Sequence, residues 1–236
     1  MTQTDIVDQR REIKNTVLQS VVALRPIEHE AEQVFALTLY QLLAKGKPVR
    51  REELAAILNR PSSEVWGTLS TWPSLIQWDD HRQVVGFAGL TLEPTRHRLI
   101  TNGVTLFAWC AWDTLFIPGI LGVTAKVEST CPETGRAISL TVSASGVAHA
   151  EPSGVVMSFP STTLAAMKEN VRANFCHQVF FFFSIEDGTA WTSRKPGTIV
   201  LNLEEAFELG VRKNALQFGA LLDDPERTLT DRRRPE

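Results

Sequence analysis

The sequence lacks the motifs by which many enzyme classes are recognised. It contains no glycine-rich phosphate loop, no GxSxG nucleophile motif, no HExxH zinc motif and no CxxC pair. Their absence argues against nucleotide-dependent, serine-hydrolase and zinc-protease chemistry. The five histidines are scattered, and only Cys176 and His177 stand side by side, so the tetrahedral ligand set of a structural zinc site is not expected.

The chain also lacks a strong charge of either sign and a long apolar run. Its formal net charge is −3, which gives no electrostatic reason to expect nucleic acid or an anionic membrane as a partner. Its most apolar stretch, residues 106–123, is interrupted by Asp113, Pro118 and two glycines, so it makes a poor membrane span. No secretory signal is visible in the charged N-terminal segment. We therefore expect a cytoplasmic protein.

Cysteine is scarce, with one residue each at Cys110, Cys131 and Cys176. An odd number of cysteines in a chain without an export signal indicates free thiols rather than a disulfide framework. Free cysteine is often only a small buried apolar residue, so the count alone assigns no function.

The N-terminal third of the chain predicts helices followed by a hairpin. Apolar spacing predicts an amphipathic helix within residues 1–27 and a second helix over 28–44, which ends at a Gly-Lys-Pro break. Two short helices, RREELAAIL and SSEVWGTLSTW, precede strands at 75–78 and 84–87. This order is typical of a winged helix-turn-helix module, which we assign to residues 28–95.

Two roles are open for the winged-helix-like module. If it bound DNA, SSEVWGTLSTW would be the recognition helix, but that helix has almost no basic residues with which to contact phosphates or bases. We therefore favour a structural role.

From Leu90 onward the pattern consists mainly of strands, and the whole chain is assigned to the α+β class. A mixed or antiparallel sheet with flanking helices is predicted to form a catalytic core over residues 96–222. The expected strand pairs are 98–100 with 104–108 across Asn102-Gly103, 123–129 with 137–142, and 147–150 with 155–159. A helix over 163–174, a strand over 178–184, a short helix over 187–194, a strand over 198–202 and a helix over 203–222 follow. The charged tail, 223–236, is expected to be disordered.

One segment, Trp109-Cys110-Ala111-Trp112-Asp113, combines a thiol with a carboxyl group among aromatic residues. If a helix starts here, Cys110 and Asp113 lie on one face, and the apolar setting raises the pKa of Asp113 towards neutrality. The alternative is a buried cysteine beside an aspartate that only hydrogen-bonds the backbone. Spacing alone favours the alternative.

Two longer segments change this balance. LFAWCAWDTLFIPGILGVTAKVESTCPETGRAISLTVS and VRANFCHQVFFFFS resemble the core of the organomercurial (alkylmercury) lyase family, and the likeness extends over about residues 30–210. The resemblance implies that Cys110 and Cys176 are catalytic and bind mercury, and that Asp113 is the catalytic aspartate and also contacts the substrate or product mercury. It implies that Cys131 is structural. Some members carry a second cysteine directly after the one matching Cys176; His177 stands there in this chain, which puts accessory mercury transfer through that position in doubt.

The chemistry fits these residue types. Mercury is a soft cation, and thiolate is the softest side-chain ligand. Asp113 is placed to accept the Cys110 proton, and a second thiolate from Cys176 adds electron density to the metal. Protonated Asp113 then donates to the departing carbon, which releases the hydrocarbon and leaves Hg(II), the product, on the sulfurs. This protonolysis needs no organic cofactor and no resident metal.

The resemblance also implies that Hg(II) passes on to small thiols or to a mercuric reductase. Trp109, Trp112 and Phe116 would form an apolar wall for the organic group, although they fit a plain core equally well. Two other functions use the same thiols: a winged-helix sensor of soft metals, and a mercury-binding protein without catalysis.

Overall fold

A computed structural model of the chain describes residues 3–24 and 29–222, and within them it contains eight α-helices and eleven β-strands. The helices are Gln3–Leu24 (α1), Glu30–Leu43 (α2), Arg51–Leu58 (α3), Ser62–Ser70 (α4), Asp113–Leu121 (α5), Leu164–Asn174 (α6), Ile185–Thr192 (α7) and Leu203–Phe218 (α8). The strands are Ile76–Trp78 (β1), Val84–Phe87 (β2), Leu90–Thr91 (β3), His97–Thr101 (β4), Val104–Ala108 (β5), Ala125–Thr130 (β6), Ala137–Ser143 (β7), Gly146–Glu151 (β8), Val156–Pro160 (β9), Phe181–Phe182 (β10) and Thr198–Asn202 (β11). The predicted α+β class is confirmed.

The strands form two antiparallel sheets. The larger sheet has the order β1-β2-β3-β5-β4-β6-β7-β8, and the smaller has the order β10-β9-β11. Alternation of apolar and polar residues fits this arrangement: in β7 every second residue is buried, which places one face on the core. At the turn between β4 and β5, Asn102 and Gly103 both have positive φ, as the Asn-Gly signal predicts.

The helices and the hairpin predicted for the N-terminal third are present. α3 is followed by Asn59, which adopts the left-handed conformation common after a helix, and α4 begins three residues later. The β1–β2 hairpin pairs through β3 with β5, so the large sheet continues from this region into the following one. The boundary at residue 95 stays a prediction.

Two strand predictions are wrong. β8 and β9 do not pair with each other: β8 pairs with β7, whereas β9 is wholly buried between β10 and β11 in the other sheet. The chain changes sheets across residues 152–155 because β9 has apolar side chains on both faces and fits a central position.

The strand expected over 178–184 is reduced to β10, preceded by a 3₁₀ turn at Cys176–Gln178. The Ser158 hydroxyl explains part of the difference, since it donates to the Gln178 carbonyl at 2.7 Å and accepts from the Phe180 amide at 3.0 Å. The Ser158 side chain thus forms hydrogen bonds with backbone groups that would pair with a neighbouring strand if β10 were longer.

The predicted tail over 223–236 and the end of the predicted N-terminal segment, residues 25–27, lie outside the described residues. In the part of the chain that is described, no helix combines the length and the apolar character needed to cross a bilayer.

Candidate active site

The turn between β5 and α5 holds the first thiol against the carboxyl group. Asp113 is the first residue of α5, and its Oδ2 accepts a hydrogen bond from the Cys110 amide at 2.9 Å. A carboxylate in the first turn of a helix is also favoured by the helix dipole. Cys110 lies before the helix rather than within it, but the predicted proximity of the two side chains is confirmed.

A second backbone contact brings in the distant cysteine. The Ala111 amide donates to the Val179 carbonyl at 3.2 Å, and the Val179 amide donates to the Cys176 carbonyl at 3.1 Å. The 3₁₀ turn that contains Cys176 is therefore fixed directly beside the turn that contains Cys110. The ligand atoms of Cys110, Asp113 and Cys176 lie within 4.8 Å of one another, and all three residues are buried.

These distances suit one soft metal ion held by two sulfurs. Metal–sulfur bonds in zinc thiolate sites are about 2.3 Å long, so two of them span at most about 4.6 Å. That span is close to the limit within which the two sulfurs lie. Little movement is therefore needed to bind both sulfurs to one atom, with the carboxyl group alongside.

Burial controls the protonation of the site. Burial raises the pKa of Asp113 to about 6, against opposing hydrogen bonds from Cys110 and the positive charge of Lys213. Burial, followed by contacts with Cys176 and Asp113, raises the pKa of the Cys110 thiol well above its usual value. For Cys176, a hydrogen bond from Cys110 lowers the pKa, but burial and the charge of Asp113 outweigh it. Both thiols are therefore protonated at neutral pH while Asp113 is largely ionised, so the carboxylate is available as a base.

α8 holds α5 in position. The Trp112 indole nitrogen donates to the Ala206 carbonyl at 2.9 Å, and the Asn214 side-chain nitrogen donates to the Phe116 carbonyl at 3.0 Å. At Gly210 the two helices approach so closely that an added Cβ would lie 2.8 Å from the Phe116 Cβ. The first turn of α5, which carries Asp113, is thus fixed by polar bonds and by close packing.

A glycine that the sequence analysis overlooked lies against the carboxyl group. Gly89 has φ +105°, and a Cβ at this position would lie 2.4 Å from Asp113 Oδ1. It forms the β2–β3 turn with Ala88, which also has a positive φ and whose carbonyl accepts a hydrogen bond from the Tyr40 hydroxyl at 2.8 Å. The signal in the sequence was an isolated glycine within an apolar strand pattern, which indicates a bulge or a close approach of the backbone to another group.

We expect Gly89→Ala to impair both activity and stability. The new methyl group has no room beside Asp113, and the backbone conformation is unfavourable for alanine, a combination that costs about 1–3 kcal/mol. Displacement of the carboxyl group by about 1 Å should lower turnover by about 10²-fold. Turnover and thermal unfolding of the variant measure the two effects. Gly103→Ala is the matched control, because Gly103 also has a positive φ but faces open space. Equal losses of turnover in the two variants would contradict the assignment.

The cluster borders a small cavity of about 50 Å³. Asp113 and Cys176 line it together with Trp109, Trp112 and Phe116, the aromatic residues expected to form an apolar wall. Val21 and Leu24, near the end of α1, close one side. An organic group bound to mercury between the sulfurs would therefore lie in an apolar space.

Ion pairs hold α1 against α8. Arg10 and Lys14 both contact the Glu205 carboxylate, at 2.9 and 3.2 Å, and Arg10 also donates to the Val200 carbonyl. Glu205 belongs in addition to the capping box at the start of α8. Both ion pairs that hold this helix against α8 are thus made by one acidic residue, Glu205.

The remaining candidate residues lie outside the cluster. Cys131 is buried in the turn after β6, and its thiol is 4.0 Å from an Asp187 carboxylate oxygen. His177 is exposed beside Cys176. Cys131 therefore lies at the contact between the β6–β7 turn and α7, and neither Cys131 nor His177 belongs to the group of converging ligand atoms.

Cys176 and Asp113 line an apolar cavity, and the buried thiol of Cys110 lies beside them, so this group of donors suits a soft metal ion that carries an organic substituent. Comparison with known proteins supports a site of this kind. The family model described as "MerB: Alkylmercury lyase" matches residues 90–213. The alkylmercury lyase of Staphylococcus epidermidis is 42% identical over 172 residues, which are 73% of this chain and 77% of that protein.

A second relative and a solved structure extend the match. The alkylmercury lyase of Pseudomonas putida is 37% identical over 191 residues, 81% of this chain and 86% of that protein. The crystal structure of the mercury-bound form of MerB2 superposes with a TM-score of 0.71 at 25% identity, and the match covers 87% of this chain and 99% of that one. The chain belongs to the alkylmercury lyase family.

Proposed function

We propose that the protein cleaves the carbon–mercury bond of organomercurials by protonolysis, and that Cys110, Cys176 and Asp113 carry out the reaction. The observation that carries this proposal is the convergence of the three ligand atoms within 4.8 Å in a buried site. The family match supports the same reaction over a sensor or a simple mercury-binding protein, which share only the thiols.

The first step is exchange of the substrate onto the protein. An organomercurial arrives as a complex with a small thiol, and the Cys176 sulfur takes the place of that ligand. The proton of the attacking thiol leaves with the displaced thiol. The Cys110 proton passes to Asp113, whose carboxylate lies in contact with Cys110, and both sulfurs then hold mercury.

The second step breaks the bond. Two thiolates increase the electron density on mercury and on the attached carbon. Protonated Asp113 donates its proton to that carbon, the carbon–mercury electron pair becomes the new C–H bond, and RH leaves. Hg(II) remains on the two sulfurs, and Asp113 is again a carboxylate. Acid–base assistance of this kind contributes about 10²–10⁴-fold to a rate.

We propose that the reaction uses no organic cofactor and no resident metal, because the donors described above supply each proton and ligand that it needs. Small thiols or a mercuric reductase would remove Hg(II) by further exchange of thiol ligands.

We also propose that the enzyme works in the cytoplasm, since its three cysteines are free and the two in the site act as thiols. Residues 28–95 would act as a structural module, because Leu75, Ala88 and Gly89 contribute to the cavity wall.

The size of the cavity favours small alkyl groups. A cavity that binds benzene has a volume of about 150 Å³. The space beside Asp113 is about 50 Å³, so a methyl group fits whereas an aryl group requires the cavity wall to move.

The proposed reaction is tested by release of the hydrocarbon. Reduced protein is incubated with methylmercury and excess thiol, and methane is measured in the headspace. We expect methane in proportion to enzyme and time. Capture of mercury without methane would reject the lyase and leave a mercury-binding protein.

The pKa of Asp113 predicts the pH dependence of kcat/KM. The free enzyme must have an ionised Asp113 to accept the Cys110 proton, and the pKa of this group is about 6. We therefore expect kcat/KM to be level above about pH 7 and to fall about tenfold for each pH unit below the pKa. The profile is obtained from the rates of methane release from methylmercury over this pH range, with the same small thiol present throughout. A level profile down to about pH 5 would contradict the role of Asp113 as a base.

A further inference from the structure

Arg172, in the last turn of α6, is an exposed arginine beside the active site that bond cleavage does not use. Its guanidinium carbon lies 5.6 Å from the centre of the Trp109 ring, a distance at which a cation and an aromatic face attract each other. Trp109 is almost fully buried and lines the cavity that Asp113 and Cys176 also line. Arg172 therefore lies on the solvent side of a residue that forms the cavity wall.

The local fold places Arg172 close to Cys176. Helix α6 is interrupted at Asn170, whose backbone is extended, with φ −161° and ψ 94°. The Asn170 side-chain oxygen accepts a hydrogen bond from the Ala173 amide at 3.0 Å, so Asn170 caps a new helical turn. Arg172 belongs to this turn, and Cys176 follows four residues later. A helical turn rises about 5.4 Å, which keeps the two residues near each other.

The charge of Arg172 reaches the Cys176 thiol. A hydrogen bond from Cys110 and the positive charge of Arg172 both lower the pKa of Cys176, although burial and the charge of Asp113 raise it overall. Of the two thiols in the site, Cys176 is 4% exposed and Cys110 is 0% exposed. Exchange with a thiol from solution is therefore expected at Cys176, the thiol that lies nearer to Arg172 in the sequence.

Arg172 has unused capacity to bind a ligand. A guanidinium group has a permanent positive charge and five N–H donors. Within residues 3–24 and 29–222, Arg172 forms no ion pair and donates no hydrogen bond, and its ring contact with Trp109 uses none of its N–H groups as donors to oxygen. The nearest acidic residue along α6, Glu169, precedes the interruption of the helix. An available cation thus lies where ligands of mercury enter and leave.

A carboxylate is the group that fits this cation. Guanidinium and carboxylate groups match in geometry, because two parallel N–H···O bonds can form between them. The formal net charge of the protein is −3, so its overall field does not attract anions, and any preference for an anion must come from a local group. A small thiol with a carboxylate could place its sulfur at mercury on Cys176 while its carboxylate contacts Arg172.

We propose that Arg172 is a docking site for the carboxylate of small thiols, and that thiols with a carboxylate are therefore the preferred acceptors of Hg(II) from the enzyme. The inference rests on the proposed function, because Hg(II) on two sulfurs is the product of that reaction. In the transfer, the sulfur of the incoming thiol bonds to mercury, the bond from mercury to the Cys176 sulfur breaks, and the proton of the incoming thiol passes to Cys176. A second thiol frees Cys110 in the same way, and nothing is oxidised or reduced.

The test compares two acceptors of nearly equal shape, 3-mercaptopropionate and 3-mercaptopropanol. Protein loaded with one equivalent of Hg(II) is mixed with either thiol at equal thiolate concentration and low salt, and the mercury left on the protein is measured after rapid gel filtration. We expect 3-mercaptopropionate to remove Hg(II) about fivefold faster, which corresponds to about 1 kcal/mol from one exposed ion pair. High salt should reduce this ratio, because it screens exposed charges.

Variants assign the preference to Arg172. Arg172→Met should bring the ratio of the two rates to one or below, and Arg172→Lys should retain part of it, because lysine keeps the charge without the planar fork. Arg96→Met is the matched control: Arg96 is also exposed, and its guanidinium carbon lies 5.1 Å from the centre of the Phe180 ring, but Phe180 does not line the cavity. It removes the same charge, and its ratio should equal that of the wild type. Thermal unfolding of the three variants identifies any that fail to fold.

The ratio distinguishes docking from a merely structural role of Arg172, since loss of structure would slow both thiols alike. Equal rates for the two thiols in the wild type, failure of both thiols to remove Hg(II), or a ratio unchanged in Arg172→Met would each overturn the docking site. Methane release from methylmercury is measured separately. Absence of methane together with the expected ratio would reject the lyase and leave the docking site in place.

Discussion

Replacement of Asp113 by asparagine is expected to lower turnover of methylmercury by about 10²–10⁴-fold while the protein still captures mercury. The amide cannot take the Cys110 proton or deliver it to carbon. Its oxygen can still accept the hydrogen bond from the Cys110 amide, so the local geometry is retained. Single-turnover release of methane, alongside titration of bound mercury, separates the chemical step from binding. Turnover by Asp113→Asn at the wild-type rate would show that the aspartate has no part in the mechanism.

Asp113→Asn should be at least as stable to unfolding as the wild type near pH 7. The pKa of Asp113 is about 6 in the folded protein, against an ordinary value of 3.8, so ionisation of the buried group costs stability as the pH rises between these values. The cost is about 3 kcal/mol above pH 6, and asparagine removes it. Thermal unfolding at about pH 4 and pH 7 measures the difference. Asp187→Asn is the matched control, since Asp187 also contacts a buried cysteine but lies outside the site.

Replacement of either Cys110 or Cys176 by serine is expected to abolish methane release, with a loss above about 10³-fold for each. A hydroxyl oxygen is a poor ligand for a soft metal, and one thiolate alone leaves the carbon too weakly basic to accept a proton. Because the two sulfurs act as one unit, the double variant should be little worse than either single variant. Methane release and mercury stoichiometry of the three proteins provide the measurement.

Cys131→Ser is the control for these variants. Cys131 is as fully buried as the other cysteines but contacts Asp187 rather than Asp113. We expect it to lower the unfolding temperature while the enzyme retains turnover. A complete loss of turnover in folded Cys131→Ser, or full turnover in Cys176→Ser, would contradict the division between catalytic and structural thiols.

Local signals in the sequence predict most of the fold. The Asn102-Gly103 turn, the strand Thr198–Asn202 and the helix starting after Thr163 lie where spacing and capping residues place them. The wrong pairing of β8 with β9 has a physical cause. Strands that are adjacent in the sequence usually pair. β9, however, is buried on both faces, so its partners are the strands between which both faces can be covered. Which strands these are depends on the packing of the whole core.

The chemistry of the site was predictable only in part. The short segment from Cys110 to Asp113 predicts a thiol beside a carboxyl group, and the family resemblance adds Cys176. Nothing local to Cys176 indicates that it lies beside Cys110, because the link is the contact between the Ala111 amide and the Val179 carbonyl. Gly89 and Lys213 were missed for the same reason, since each acquires its role from a neighbour far away in the sequence.

The most direct test is the number of sulfur ligands on mercury in the product complex. Wild-type protein loaded with one equivalent of Hg(II), and freed of small thiols, is examined by X-ray absorption at the mercury edge. We expect both protein sulfurs at equal distance in the wild type and in Cys131→Ser, and one sulfur fewer in Cys110→Ser and in Cys176→Ser. A coordination shell unchanged by loss of Cys110 or Cys176 would show that the two sulfurs do not share the metal.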